Sequence, residues 1–132
     1  MAAVADMKTI GAPFANAVEV VTVSYVGATD GLVQADLDVL TAEDDVLVKF
    51  VGFKGVVAAT SGGSAVFDLG VGAGGTEYAS NAAVAGFTAG ALVNGATEAY
   101  KKVASGSKVV LGIEVADLTA GSFDMIFHVM KF

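Results

Sequence analysis

The chain has 132 residues, 55 % of them hydrophobic, and a formal net charge of −7, with seven lysines, no arginine and no cysteine. That length suits one domain with one core. An acidic chain without arginine lacks the basic footprint and the preferred base reader of a nucleic-acid binder, and without cysteine there are no disulfides, thiolate nucleophiles or Cys-ligated metals.

Residues 1–15 carry no clear period, and Gly11 and Pro13 end any helical turn begun at Ala2, Ala3 and Ala5. The segment reads either as a loose terminus or as an arm that docks on a neighbouring subunit through Met7, Ile10 and Phe14. Its start, MAAVADMKTIGAPF, has no basic region ahead of an apolar core, so a secretory signal is not expected and synthesis in the cytosol is. Residues 16–132 are expected to form a single domain.

Ala17 to Val26 (AVEVVTVSYV) is rich in β-branched residues and predicts a strand. Gly27 to Gly31 predicts a turn. Leu32 to Leu40 alternates, with Val33, Ala35, Leu37 and Val39 on one face and Gln34, Asp36 and Asp38 on the other, the pattern of a half-solvated strand. Val46 to Gly72 predicts two strands joined by a turn at Ser61-Gly62-Gly63-Ser64. In its first arm Leu47, Val51, Phe53 and Val57 share a face with Lys49, while Val46, Val48, Phe50 and Val56 share the other with Lys54. A strand with one open face alternates apolar and polar, so both faces of this arm are expected to be covered. The arm is too short and too interrupted by Lys49, Gly52, Lys54 and Gly55 to span a bilayer as a helix.

Residues 72–96 predict a long loop, with one helical turn near Ser80 to Val84 capped by Ser80 or Asn81 and a brief strand near Ala91 to Val93. Thr97 to Ala104 fits a strand or a helical turn, and the Ser105-Gly106 turn after it favours the strand. Ser107 to Ala116 alternates with Val109, Leu111, Ile113 and Val115 inward. After a turn at Asp117 to Gly121, Ser122 to Phe132 closes the chain. Phe123, Met125, Phe127 and Val129 form one face of it, and Asp124, Ile126, His128, Met130 and Phe132 form a second face too apolar for open water. Seven to eight short strands and no long helix predict an all-β antiparallel sandwich, jelly-roll-like.

No catalytic motif stands out, and an enzyme is not expected. His128 is the only histidine, and on a strand beside Ile126 and Met130 it reads as an interface or core residue. The acidic run Asp36, Asp38, Glu43, Asp44 and Asp45 lacks EF-hand spacing and reads as a solvated edge that discourages strand pairing. Without tryptophan, only Tyr25, Tyr78 and Tyr100 remain as sugar-stacking candidates. Gly70 to Gly75 lacks the Gly-Lys-Ser/Thr ending of a P-loop and the context of a dinucleotide fold, and reads as a loop tip. No cofactor or metal is expected.

The stretch VVAATSGGSAVFDLGVGAGGTEY, ending at Tyr78, resembles a pattern in small virion proteins of tailed bacteriophages. There a strand and a Gly/Ser turn lead to an Asp-hydrophobic-Gly segment, here Phe67-Asp68-Leu69-Gly70, and then to a loop of small residues. The end, VVLGIEVADLTAGSFDMIFHV, is similar to the closing hairpin of such proteins. The resemblance implies a jelly roll with a structural role on the particle, most commonly a trimeric decoration (cement) protein. Such a protein sits on the outside of a phage head, binds the major capsid protein and bridges capsomers. It implies no catalytic residues. On this reading Phe50, Lys54, Ile126, His128, Met130 and Phe132 are the expected self-association residues. Met7, Ile10, Pro13 and Phe14, with the 72–96 loop, are the expected shell contacts. A tail or baseplate component, or a carbohydrate- or ligand-binding β-sandwich, are the alternatives.

Overall fold

The structure, a computed structural model, describes residues 8–10, 18–95 and 99–132. Among these residues ten strands run in the order β1 (Lys8–Ile10), β2 (Val18–Val26), β3 (Ala35–Ala42), β4 (Val46–Ser61), β5 (Val66–Val71), β6 (Ala79–Ala83), β7 (Leu92–Asn94), β8 (Lys101–Val103), β9 (Lys108–Glu114) and β10 (Leu118–Lys131). A single helical turn, α1 (Gly27–Asp30), follows β2, and a 3₁₀ turn at Val84–Gly86 follows β6. One sheet has the order β1-β3-β9-β5-β6, and the other β2-β10-β4-β7 with β8 also on β4. All pairings are antiparallel except β1 with β3. If β7 and β8 share one position and β1 is set aside, eight positions remain in the strand order of a jelly roll.

The two sheets pack through alternate residues: Val21, Val23 and Tyr25 of β2, Phe123, Met125, Phe127 and Val129 of β10, Val109, Leu111 and Ile113 of β9, and Phe67 and Leu69 of β5. Aromatic rings fill the centre. Phe67 lies 4.8 Å from Phe87 and 5.0 Å from Phe123 between centroids, and Phe50 lies 4.8 Å from Phe53 and 5.2 Å from Phe127. Tilted and edge-on contacts of this kind add stabilisation beyond the area buried. The two buried tyrosines have partners for their hydroxyls, Tyr25 donating to the Gly31 carbonyl and Tyr78 to the Val48 carbonyl at 3.2 Å. Burial, helped by Asp30, pushes the Tyr25 phenol up to about 12.

The two-sided apolar pattern of β4 has a local cause. Against β10 the register slips between Phe127↔Phe50 and Ile126↔Gly52, so one extra residue sits in β4. Before this bulge Val46, Val48 and Phe50 point inward, and after it Phe53 does. Phe50 is therefore a core residue, fully buried, and does not share a face with Lys54 as expected. β3 changes phase in the same way between Asp38 and Leu40, which turns Leu40 and Ala42 inward.

Gly55 allows a close approach of another segment to β4. A Cβ there would sit 2.0 Å from the Thr88 carbonyl oxygen. The bonds Gly55 N–H to Ala91 O (2.9 Å), Gly90 N–H to Gly55 O (2.9 Å) and Ala59 N–H to Phe87 O (2.8 Å) lash residues 87–91 along β4. Part of the expected loop is thus fixed to the domain's own sheet. The helical turn expected at Ser80 to Val84 is instead β6 followed by the 3₁₀ turn.

Candidate functional site

The outward face of the β2-β10-β4 sheet gathers five of the six expected self-association residues. Across the sheet Val18, Met130 and Leu47 are aligned, with Lys102 of β8 beyond Leu47. The next row holds Val20, His128 and Lys49. Then come Thr22, Ile126 and the bulged Val51-Gly52 step, and then Ser24, Asp124, Lys54 and Leu92. Val18 and Val20 are 49 % and 61 % exposed, Leu92 58 % and Phe132 62 %, while Leu47, Val51, Ile126, His128 and Met130 are half-buried by their neighbours.

The polar groups of this face are held at its margins. The Ser24 hydroxyl donates to Asp124 at 2.6 Å. Lys102 Nζ lies 4.3 Å from the Phe132 ring centroid and 3.6 Å from the Asp45 carboxylate. The Asp45 carboxyl is held below its ordinary range, first by the Ser105 backbone N–H that it accepts at 2.8 Å and then by Lys102. Lys49 Nζ stands 5.9 Å from the Tyr100 ring. What is left between them is Val18, Val20, Leu47, Val51, Ile126 and Met130, with Thr22 and His128 among them.

The opposite outer face, on β3, β9 and β5, is acidic. Asp36 and Asp68 flank Gly112 in register, and Glu114 folds back toward the same glycine. Partial burial, then the negative charges of Asp36 and Asp68, push the Glu114 carboxyl up. Asp38 is paired with Lys108 at 3.0 Å, and Asp68 accepts the Asn81 N–H at 2.7 Å. An open depression of about 460 Å³ lies beside this group, lined in part by Asp38, Val71, Ser107, Lys108 and Val110. Among the described residues no group of three or more His, Cys, Asp or Glu side chains is arranged to hold a metal ion. The acidic run separates in space: Asp36 and Asp38 lie on the sheet, whereas Asp45 binds the turn at Ser105.

The other sequence candidates fall as follows. Tyr25 and Tyr78 are wholly buried, so only Tyr100 is available to a ligand. The Gly70 to Gly75 loop spends its N–H groups internally, Val71 on Glu77, Gly72 on the Lys108 carbonyl and Gly75 on the Gly72 carbonyl. Ile10 belongs to β1, and Met7, Pro13 and Phe14 lie outside the described residues. Among the described residues no helix is long and apolar enough to cross a membrane. Sequence reading missed the contribution of β2 to the outward face. Its signal was there: Val18, Val20 and Val26 alternate with Val21, Val23 and Tyr25, so β2 too is apolar on both sides. No protein-family model, curated protein or solved structure matches the chain.

Proposed function

We propose that this chain is a non-enzymatic structural protein of a virion, a decoration protein that adheres to the outside of a phage head and bridges its capsomers. The observation that carries this reading is the outward face of β2, β10 and β4. An antiparallel sheet facing water writes polar residues on that side, and this chain does so on β3 with Asp36 and Asp38. On β2, β10 and β4 the corresponding positions hold Val18, Val20, Leu47, Val51, Ile126 and Met130, interrupted by Thr22, His128 and Lys49 and ending at Ser24, Asp124 and Lys54. Contiguous exposed apolar surface of this kind marks a binding site. Lysines 49, 54 and 102 at its margin suit a partner whose contact surface is rimmed with carboxylates.

The resemblance of the segment ending at Tyr78 to small virion proteins supports the choice of a particle as partner. The mechanism is added buried interface. A protein that contacts two capsomers at once holds them by avidity, so individually weak contacts suffice. The test is mass spectrometry of purified virions of the virus that encodes the chain. Expected is a copy number commensurate with the shell lattice, and heads that disrupt at lower temperature when the protein is stripped off. Its absence from the particle would refute the reading. A few copies confined to the tail would favour a tail component instead.

A further inference from the structure

The two sheets treat their edges unequally. β1 and β6 edge one sheet with three and five residues, and the open remainder of β3 carries Asp36 and Asp38. On the other sheet β4 is covered by β7 and β8, three residues each, and by the lashed 87–91 segment. Short edge strands, charges and covering loops are the devices that stop sheets pairing edge to edge. β2 has few of them, a single charge, Glu19, near its start and the Asp30 carboxylate at its end. It is nine residues long, pairs with β10 without a single register shift, and contains no proline, glycine or lysine. Its one charge is Glu19, and among the described residues no strand pairs with its other side. Among the described residues one β2 N–H is taken by a side chain, that of Val26, which donates to Asp30 at 2.7 Å and is withheld from an added strand.

We infer that β2 is a homotypic edge, which pairs antiparallel with β2 of a second copy across a two-fold axis at Thr22. The occupant follows from the strand's own sequence. The register that overlaps all nine residues sets Val18 opposite Val26 of the second copy, Glu19 opposite Tyr25, Val20 opposite Ser24, Val21 opposite Val23, and Thr22 opposite itself. This register keeps core-facing residues beside core-facing ones, which a slip of one residue would reverse. It places a Thr–Thr pair at the centre, a favourable cross-strand combination. It also holds the two Glu19 side chains about six residues apart, roughly 20 Å along the strand, so no like charges meet. The isologous contact closes on itself and does not propagate. The outward faces of two copies then join into one continuous surface. This inference stands independently of the virion reading.

Single-cysteine variants test it cleanly, because the chain has no cysteine of its own. In the dimer the two Thr22 Cα atoms are about 4.5–5.5 Å apart, within disulfide reach. The two Val20 positions are offset by four residues, about 13 Å, which is out of reach. Expected are a dimer by size-exclusion chromatography with light scattering, a disulfide-linked dimer for oxidised Thr22→Cys, and none for Val20→Cys. Thr22→Lys, which sets two ammonium groups face to face while leaving an outward position, is expected to be a folded monomer by circular dichroism. A wild-type protein that is monomeric or trimeric at every concentration overturns the inference. So does equal cross-linking of both cysteine variants, or a folded Thr22→Lys that dimerises like wild type. Should Thr22→Cys fail to fold, the Thr22→Lys result decides.

Discussion

Phe50→Ala separates a core role for Phe50 from an interface role. Phe50 is fully buried, its ring 4.8 Å from Phe53, 5.2 Å from Phe127 and 6.4 Å from Tyr78 between centroids. Gly95 packs against it so closely that a Cβ there would be 2.6 Å from the ring. A buried aromatic side chain removes about 150–250 Å² from water, and deleting one to alanine costs about 3–5 kcal/mol, including the cavity left behind. The ring-to-ring contacts place Phe50 in the middle of that range, so we expect a loss of about 4 kcal/mol. Against a total stability of roughly 5–15 kcal/mol, this is a large share, and Phe50→Leu should recover more than half of it. Urea denaturation followed by fluorescence and circular dichroism measures both variants, with an unchanged slope showing that the unfolding reaction is the same. A loss below about 1.5 kcal/mol would refute the core assignment, most clearly if it came with a change in oligomeric state.

Three other perturbations follow from the geometry. Val115 sits at φ +75° between Glu114 and Ala116, in a tight turn closed by Ala116 N–H to Glu114 O, with its side chain 67 % exposed. A β-branched residue is strained there, so Val115→Gly should stabilise by about 1 kcal/mol and raise Tm by roughly 4 °C; a lower Tm would contradict the strain. Glu114, with its carboxyl pushed above the ordinary value of 4.5, destabilises the fold when ionised. That penalty is absent below the unfolded-state value and grows as pH rises through the folded-state value. Glu114→Gln should therefore gain in urea midpoint at pH 7 and lose the gain at acid pH, whereas a pH-independent difference would refute the electrostatic cause. Gly55→Ala should cost about 2 kcal/mol or more by forcing Thr88 away from β4, with faster hydrogen exchange at the Ala59 amide that bonds Phe87. Unchanged exchange would show that the 87–91 segment is not held there.

The sandwich was legible because most strands here are short, β-branched and punctuated by glycine turns. β2 and β9 lie within two residues of their expected bounds, and the Ser61 to Ser64 turn falls where the Gly/Ser pair puts it, with the Ser61 hydroxyl accepting from the Gly63 and Ala65 N–H groups. What alternation could not reveal was phase. A period-two pattern assigns faces correctly only until an extra residue enters, and the bulge after Phe50 turned Phe53 inward and Lys54 outward, so Lys54 no longer shares a face with the buried Phe50. The helical turn expected at Ser80 failed for another reason. Small polar residues satisfy a helix cap and an edge strand equally well, and the Asp68 carboxylate bonding the Asn81 N–H favours the strand. The outward face was partly legible, since Ile126, His128 and Met130 alternate with buried Phe127 and Val129 in one strand. Its continuation onto β2 and Leu47 depends on cross-strand register, which no single strand encodes.

Ile126 lies at the centre of that face, opposite Thr22 on one side and Gly52 on the other. Ile126→Asp places a carboxylate there while leaving the core untouched, at a cost of about 1 kcal/mol in the free protein. On the proposed virion reading, co-sedimentation of the folded variant with phage heads that lack the protein tests whether the face is the adhesive surface. Wild type is expected to pellet with the heads and folded Ile126→Asp to stay in the supernatant. A folded Ile126→Asp that pellets as fully as wild type would contradict it.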